Sequence, residues 1–214
     1  MNSRIRPIVY VVDDDRSVRE SLGFLLEVLS YEVRLLESAG EFLERYQPGV
    51  PACLILDVRM PEMSGLELQD RLNERAIDLP IIFISGHGDI PMVVRTMQKG
   101  ANDFLQKPFK DQDLLDRVQK AIEGDRSRQH QRREEMTITA RYEFLTPRER
   151  DVMSLLMQGK TNKAIAAELD ISPKTVESHR ARVMEKMHAD SLAELFQAIQ
   201  ILDRVKLRSA AQKT

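Results

Sequence analysis

Asp57 closes an apolar run, Cys53-Leu54-Ile55-Leu56, and is followed by Val58-Arg59-Met60-Pro61 and then Gly65. A carboxylate in that place sits on the lip of a buried strand, where the chain turns into a loop. Asp13 and Asp14 end another such run, Ile8 to Val12, while Ser85 and Lys107 follow two more. Three acids crowded together repel one another and push a proton onto one of them. A hard divalent cation relieves this, and an all-oxygen site with few protein ligands suits Mg²⁺. Asp57 then stays ionised and can attack phosphorus to form an acyl phosphate. The metal and Lys107 stabilise charge on the equatorial oxygens of the transferring group. The Ser85 hydroxyl is placed to donate to a phosphate oxygen once the group is installed. The chemistry expected of this set is metal-assisted phosphoryl acceptance.

Elements that position these residues are legible in the first half of the chain. Strands are predicted at Ile8–Val12, Glu32–Leu36, Cys53–Leu56, Ile81–Ile84 and Asp103–Gln106. Helical patterns lie between and after them at Ser17–Leu29, Ala39–Tyr46, Gly65–Asn73, Pro91–Lys99 and Lys110–Ile122. In the last, Leu114, Leu115, Val118 and Ile122 form an amphipathic stripe. Gly100 is a helix C-cap. Alternation of this kind implies a doubly wound α/β fold, a five-stranded parallel sheet covered on both faces. Ligands of such sheets sit beyond the carboxyl ends of the strands, at a switch point in strand order. Asp13, Asp14, Asp57, Ser85 and Lys107 all fall on that edge. Singly, a strand-end aspartate is as often a cap, and a lone lysine is ordinary surface; their shared edge carries the functional reading. Asp15 reads as solvated or as an N-cap. His87, between Gly86 and Gly88, reads as exposed rather than as a ligand, and Asp89-Ile90-Pro91 as a helix entry.

The 214 residues suffice for two small domains, each with its own core. The single cysteine, Cys53, reads as a packed, reduced thiol. With no long apolar stretch and no signal-peptide pattern, a cytoplasmic protein without a membrane segment is expected. Residues 1–123 carry 15 Lys+Arg against 21 Asp+Glu, and residues 145–214 carry 12 against 9. An acidic half followed by a mildly basic one suggests two tasks, the second compatible with nucleic acid.

Residues 124–144 are read as a polar linker, possibly helical, with no core of its own over 123–137. Gly124 favours a break there and the Arg/Gln/Glu content favours helix. Beyond it, Thr146-Pro147-Arg148-Glu149 is a capping box with proline at the first helical position. Val152, Leu155, Leu156 and Met157 supply that helix's apolar face. Asn162–Leu169 is a short helix, and Ser172-Pro173 starts another, in which Val176, Val183 and Met187 form one buried stripe. Lys174, Glu177, Ser178, Ala181 and Glu185 lie on the opposite face. A fourth helix, Ser191–Leu202, is expected to contribute Leu192, Leu195, Phe196 and Ile199 to the core. Two short helices joined at Asp170-Ile171-Ser172, the second with polar and small residues outward, describe a helix-turn-helix.

On these motifs, residues 6–123 resemble the receiver domain of two-component response regulators. The matching elements are Asp13-Asp14, Asp57 with Met60-Pro61 and Gly65, Ser85-Gly86, and Phe104 ahead of Lys107-Pro108. Residues 145–202 resemble the LuxR-type DNA-binding domain, through Leu145-Thr146-Pro147-Arg148-Glu149, Asn162-Lys163-Ile165-Ala166 and Ser172-Pro173-Lys174-Thr175-Val176. Together they point to the FixJ/NarL class: a flavodoxin-like receiver (1–123), the linker (124–144), and an all-α helix-turn-helix domain (145–214). The resemblance implies that Asp57 accepts phosphate from a partner histidine kinase. Asp14, Asp57 and the Arg59 backbone carbonyl would hold Mg²⁺, with Asp13 acting through bound water. Ser85 and Phe104 would be the switch pair, and the Lys107-Pro108 bond would be cis. Phosphorylated receivers would form a homodimer through the 91–106 face and bring two reading helices onto double-stranded DNA. Lys163, Lys174, Thr175 and exposed arginines such as Arg182 are expected at phosphates. Glu177, Ser178 and Ala181 are expected at base edges, with His179 on the flank.

Two rival readings have specific marks. In an unmasking mechanism, the unphosphorylated receiver covers the DNA-binding helix. A phospho-aspartate phosphohydrolase typically carries Asp-x-Asp at its nucleophile, and the second position here is Arg59, so the chain is not expected to be an enzyme apart from self-phosphorylation and dephosphorylation at Asp57.

Overall fold

The computed structural model describes residues 6–86 and 90–211; His87 and Asp89 lie outside them. The chain divides into two compact units, the first ending at Gln129 and the second beginning at His130.

In the first unit the elements run β1 (Ile8–Val12), α1 (Arg16–Leu26) with a 3₁₀ turn at Glu27–Leu29, β2 (Glu32–Leu36), α2 (Ala39–Arg45) and β3 (Ala52–Asp57). They continue through α3 (Gly65–Glu74), β4 (Ile81–Ser85), α4 (Ile90–Gln98), β5 (Asp103–Gln106) and α5 (Asp111–Glu143), whose residues from His130 on belong to the second unit. All strand pairs are parallel, in the order β2-β1-β3-β4-β5. Both β3 and β4 run one residue beyond the apolar run that marks them, so Asp57 and Ser85 are the last residues of their strands. β1, β3 and β4 are buried along their whole length. Strand alternation splits them between two cores. Tyr10, Leu54, Leu56 and Phe83 face α2 and α3 residues such as Phe42 and Leu68. Val9, Val11, Cys53 and Ile55 face Leu22 and Leu26 of α1 and Leu114, Val118 and Ile122 of α5. Full burial is why these strands read as unbroken apolar runs. It also holds the Cys53 thiol protonated, its pKa pushed far above the ordinary value by burial.

The order reverses between β1 and β3, the crevice where such folds place a ligand. Asp13 leaves β1 there and Asp57 ends β3.

Helix α5 passes through Gly124 without a break. Residues 123–137 are expected to bury no core of their own; one polar residue among them, Asp125, is buried all the same. Its carboxylate accepts from the Ala52 backbone N–H at 2.9 Å and from Gln129 Nε2 at 2.8 Å, and Gln129 Nε2 also reaches the Val50 carbonyl at 3.0 Å. A polar sequence hid this contact, since the helix is fastened to the amino end of β3 by hydrogen bonds and not by an apolar stripe.

The second unit contains α6 (Pro147–Met157), α7 (Asn162–Leu169), α8 (Pro173–Met187) and α9 (Leu192–Ala211). Val152, Leu155, Leu156, Ile165, Ala166 and Val176 form one cluster; Ile138, Leu145, Met153, Val183, Met187, Leu195 and Leu202 belong to the other. Leu192 and Phe196, expected inside, are 43% and 49% exposed. The buried line of α9 is Leu195 and Leu202, one heptad apart; Phe196 lies a helical step (about 100°) off it. No helix among the described residues is long and apolar enough to cross a membrane.

Replacing Asp125 by Ala strands the buried Ala52 N–H without an acceptor and should cost about 1–3 kcal/mol. Urea unfolding of the full chain tests this; an unchanged midpoint for the first unit would show the contact to be inconsequential.

Candidate acid-lysine site and nucleic-acid interface

At the carboxyl edge of the sheet Lys107 Nζ donates to Asp13 Oδ2 at 2.8 Å and to Asp57 Oδ1 at 3.0 Å. The Lys107-Pro108 peptide is cis, and Lys107 N–H donates to the Ser85 carbonyl at 2.8 Å, tying the end of β5 to that of β4. The second oxygen of Asp57 accepts from the Arg59 N–H at 2.7 Å, so the loop after β3 folds back onto the carboxylate. That loop closes through Gly65, whose N–H reaches the Val58 carbonyl at 3.0 Å. A Cβ at Gly65 would stand 2.2 Å from the Asp57 carbonyl oxygen, so only glycine fits.

Asp13 is 1% exposed. Its Oδ1 accepts from the Asp15 N–H at 2.9 Å, and its carbonyl accepts from Arg19 Nη1 at 2.6 Å. Asp15 is the N-cap of α1, accepting from the Ser17 and Val18 N–H groups. Burial pushes the Asp13 carboxyl above the usual range against the opposing pull of Lys107. Burial disfavours the Lys107 ammonium, but its bonds to Asp13 and Asp57 and their charges outweigh this and hold its pKa above the ordinary value. Unit charges 4 Å apart attract by roughly 4 kcal/mol at an effective dielectric constant near 20, enough to fix the ammonium between two acids.

Asp14 is exposed at the end of β1, and the Arg59 side chain is exposed as well. Among the described residues no three His, Cys, Asp or Glu side chains are gathered into a ready metal cage. The donors at this edge are nonetheless all oxygen, two buried carboxylates and one exposed, and fit a water-completed Mg²⁺ site rather than a softer ion. Ser85 is buried; Phe104 is half-buried and packs with Met92 against the core on the α3 face.

In the second unit, Thr161 caps α7 and Asp170 ends it with φ +52°. Ser172 caps α8, with Pro173 in the first turn. Lys163 on α7 and Lys174, Thr175, Glu177, Ser178, Ala181 and Arg182 on α8 are all exposed. Thr175 Oγ1 is also engaged with Ser172 Oγ at 2.8 Å, so its hydroxyl serves the helix start. His179 is half-buried, and its Nδ1 is enclosed without a hydrogen-bond partner.

One residue carries more than its motif revealed. Glu149 completes the capping box and is also buried, accepting from Lys186 Nζ of α8 at 2.7 Å. The Thr-x-x-Glu spacing disclosed the cap; the lysine partner, far along the chain, left no local signal. Burial raises the Glu149 pKa, but bonds from Lys186 and Thr146 outweigh it and hold the carboxyl below the usual range.

Residues 9–119 match the response regulator receiver domain, and residues 143–199 match the luxR family of bacterial regulatory proteins. Nodulation protein W of Bradyrhizobium diazoefficiens is 48% identical across 92% of this chain and 87% of its own length. The transcriptional regulatory protein FixJ of the same organism is 44% identical across 87% of this chain and 91% of its own. Among solved structures, the response regulator StyR superposes with a TM-score of 0.86 at 44% identity, covering 91% of this chain and 98% of that one. Full-length FixJ from B. japonicum gives 0.56 at 41% identity, covering 92% and 97%.

A carboxylate whose folded pKa is depressed contributes stability above its unfolded pKa, and that stability is lost as pH falls through the folded value. Unfolding of the wild-type second unit should therefore become easier as pH drops below the ordinary glutamate value of 4.5. Glu149→Gln should be less stable near neutrality and flatter across that window. A parallel pH dependence in the two proteins would contradict this role.

Proposed function

The chain belongs to the two-component response regulators of the FixJ/NarL class, a receiver followed by a LuxR-type DNA-binding domain, and from that premise we propose that phosphorylation of Asp57 switches its binding to DNA. The observation that carries the proposal is Lys107 Nζ held between Asp13 and Asp57 at the sheet edge. A histidine kinase supplies the phosphoryl group. An Asp57 carboxylate oxygen forms the new O–P bond as the P–N bond of a phosphohistidine, protonated on its other ring nitrogen, breaks and releases neutral imidazole. Asp14, Asp57 and the Arg59 carbonyl would hold Mg²⁺, with Asp13 acting through bound water, and the ion would supply charge neutralisation when bound. Lys107 turns its proton donors from the Asp57 carboxylate to a phosphoryl oxygen, and the Ser85 hydroxyl donates to another. Phe104 fills the space that the hydroxyl leaves.

Two surfaces support the partners. Beside Lys107, an open cavity of about 640 Å³ is lined by Ser17, Val18, Phe24, Pro108 and Phe109, and Phe24 is 72% exposed. It offers an approaching kinase helix an apolar seat next to the acceptor. On α4, Ile90, Val94 and Met97 recur at i, i+4 and i+7 and are 80%, 46% and 42% exposed. A receiver homodimer through the 91–106 face buries that stripe and brings two α8 helices to paired half-sites on double-stranded DNA. There Lys163, Lys174 and Arg182 bind phosphates, while Glu177, Ser178 and Ala181 meet base edges.

Asp57→Asn should lose phosphodonor-stimulated DNA binding while keeping the basal level in a gel-shift titration. A mutant stimulated as strongly as wild type would overturn the assignment. Val94→Glu should weaken self-association of the beryllofluoride-treated chain by roughly tenfold or more, about 1.4 kcal/mol. Sedimentation that does not distinguish it from wild type would place the dimer elsewhere.

A further inference from the structure

Beneath α4 lies a polar pair that the acceptor site does not use. Gln69 of α3 is 1% exposed and Thr96 of α4 fully buried. Buried polar atoms are normally all partnered, and one here is not. Gln69 Nε2 donates to the Thr96 carbonyl at 3.1 Å, but Gln69 Oε1 is enclosed and accepts no hydrogen bond. The Thr96 hydroxyl meanwhile donates within its own helix, to the Val93 carbonyl at 2.8 Å. The Thr96 carbonyl already accepts from the Ala101 N–H at 3.1 Å, so Gln69 is not needed to satisfy it. Two more ties join α3 to the same end of α4: Asn73 Nδ2 donates to the Lys99 carbonyl at 3.0 Å, and Lys99 pairs with Asp70.

The same groups admit a second arrangement, in which α4 moves so that the Thr96 hydroxyl releases Val93 and donates to Gln69 Oε1. Packed elements pass between discrete arrangements of this kind and do not deform continuously. We propose that Gln69 is the positioning residue for α4, holding it at rest through the Thr96 carbonyl and in the switched state through the Thr96 hydroxyl. Its orphaned oxygen disfavours the resting position and lowers the cost of leaving it. The inference deepens the Asp57 switch proposed above and rests on it, since α4 carries the Ile90, Val94 and Met97 stripe.

The test is a double-mutant cycle on the full chain with Thr96→Val, Gln69→Met and both together. Amide hydrogen exchange of residues 90–98 is read with and without Mg²⁺ and beryllofluoride, and sedimentation is run in parallel. Thr96→Val keeps the carbonyl tie and the core volume, so resting exchange should match wild type. Its response to beryllofluoride should fall by roughly fivefold or more, the lower range of coupling between sites. In the Gln69→Met background the same substitution should have no such effect, because the acceptor is gone. A merely structural role would change both states alike and give no coupling. Equal effects of Thr96→Val in the two backgrounds, or in the two states, overturn the role of Gln69. A wild-type chain whose α4 and sedimentation ignore beryllofluoride overturns the switch itself.

Discussion

One ammonium between two buried carboxylates organises the first unit. Without Lys107, Asp13 and Asp57 would face each other as like charges in a low-dielectric crevice. Lys107 donates to both, and it arrives from β5, the far edge of the sheet from β2. The strand order has to bring the ends of β1, β3 and β5 to a common edge, and the parallel register does so. Backbone bonds then remove the remaining freedom: Arg59 N–H on Asp57, Asp15 N–H on Asp13, and Lys107 N–H on the Ser85 carbonyl. Local precision of this kind is what acyl-phosphate chemistry requires, since catalysis of phosphoryl transfer is almost entirely positioning and charge.

Much of this was legible in the sequence. Fully buried parallel strands leave unbroken apolar runs, and Asp13, Asp57 and Ser85 at the ends of β1, β3 and β4, with Lys107 after β5, share one edge. Gly65 could be noticed but not explained until the 2.2 Å approach to the Asp57 carbonyl was seen. The residues that escaped share a physical cause. Asp125, Gln69 and Glu149 are buried polar groups whose partners lie far away in the chain, at Ala52, Thr96 and Lys186. Periodicity reports apolar faces and caps; it is silent on long-range hydrogen bonds. Phe196 failed for the opposite reason, an apolar residue one helical step off the buried line.

The second unit uses the same economy of polar contacts. Thr146 and Glu149 start α6, and Glu149 also binds Lys186 near the end of α8, so one carboxylate ties α8 to the start of α6. Val176, Val183 and Met187 bury one stripe of α8, and that leaves Glu177, Ser178 and Ala181 outward. In the proposed DNA complex, a glutamate among the outward residues opposes phosphate binding and favours discrimination between bases, which leaves affinity to Lys163, Lys174 and Arg182.

The carboxylate held by Lys107 is the proposed acceptor of the phosphoryl group. The direct measurement is peptide mass spectrometry of the full chain after incubation with Mg²⁺ and a low-molecular-weight phosphodonor, under conditions that preserve acyl phosphates. A single hydroxylamine-labile phosphoryl group on Asp57 is the predicted result. Phosphate on another residue, or none on a chain that is folded and has bound Mg²⁺, would contradict it.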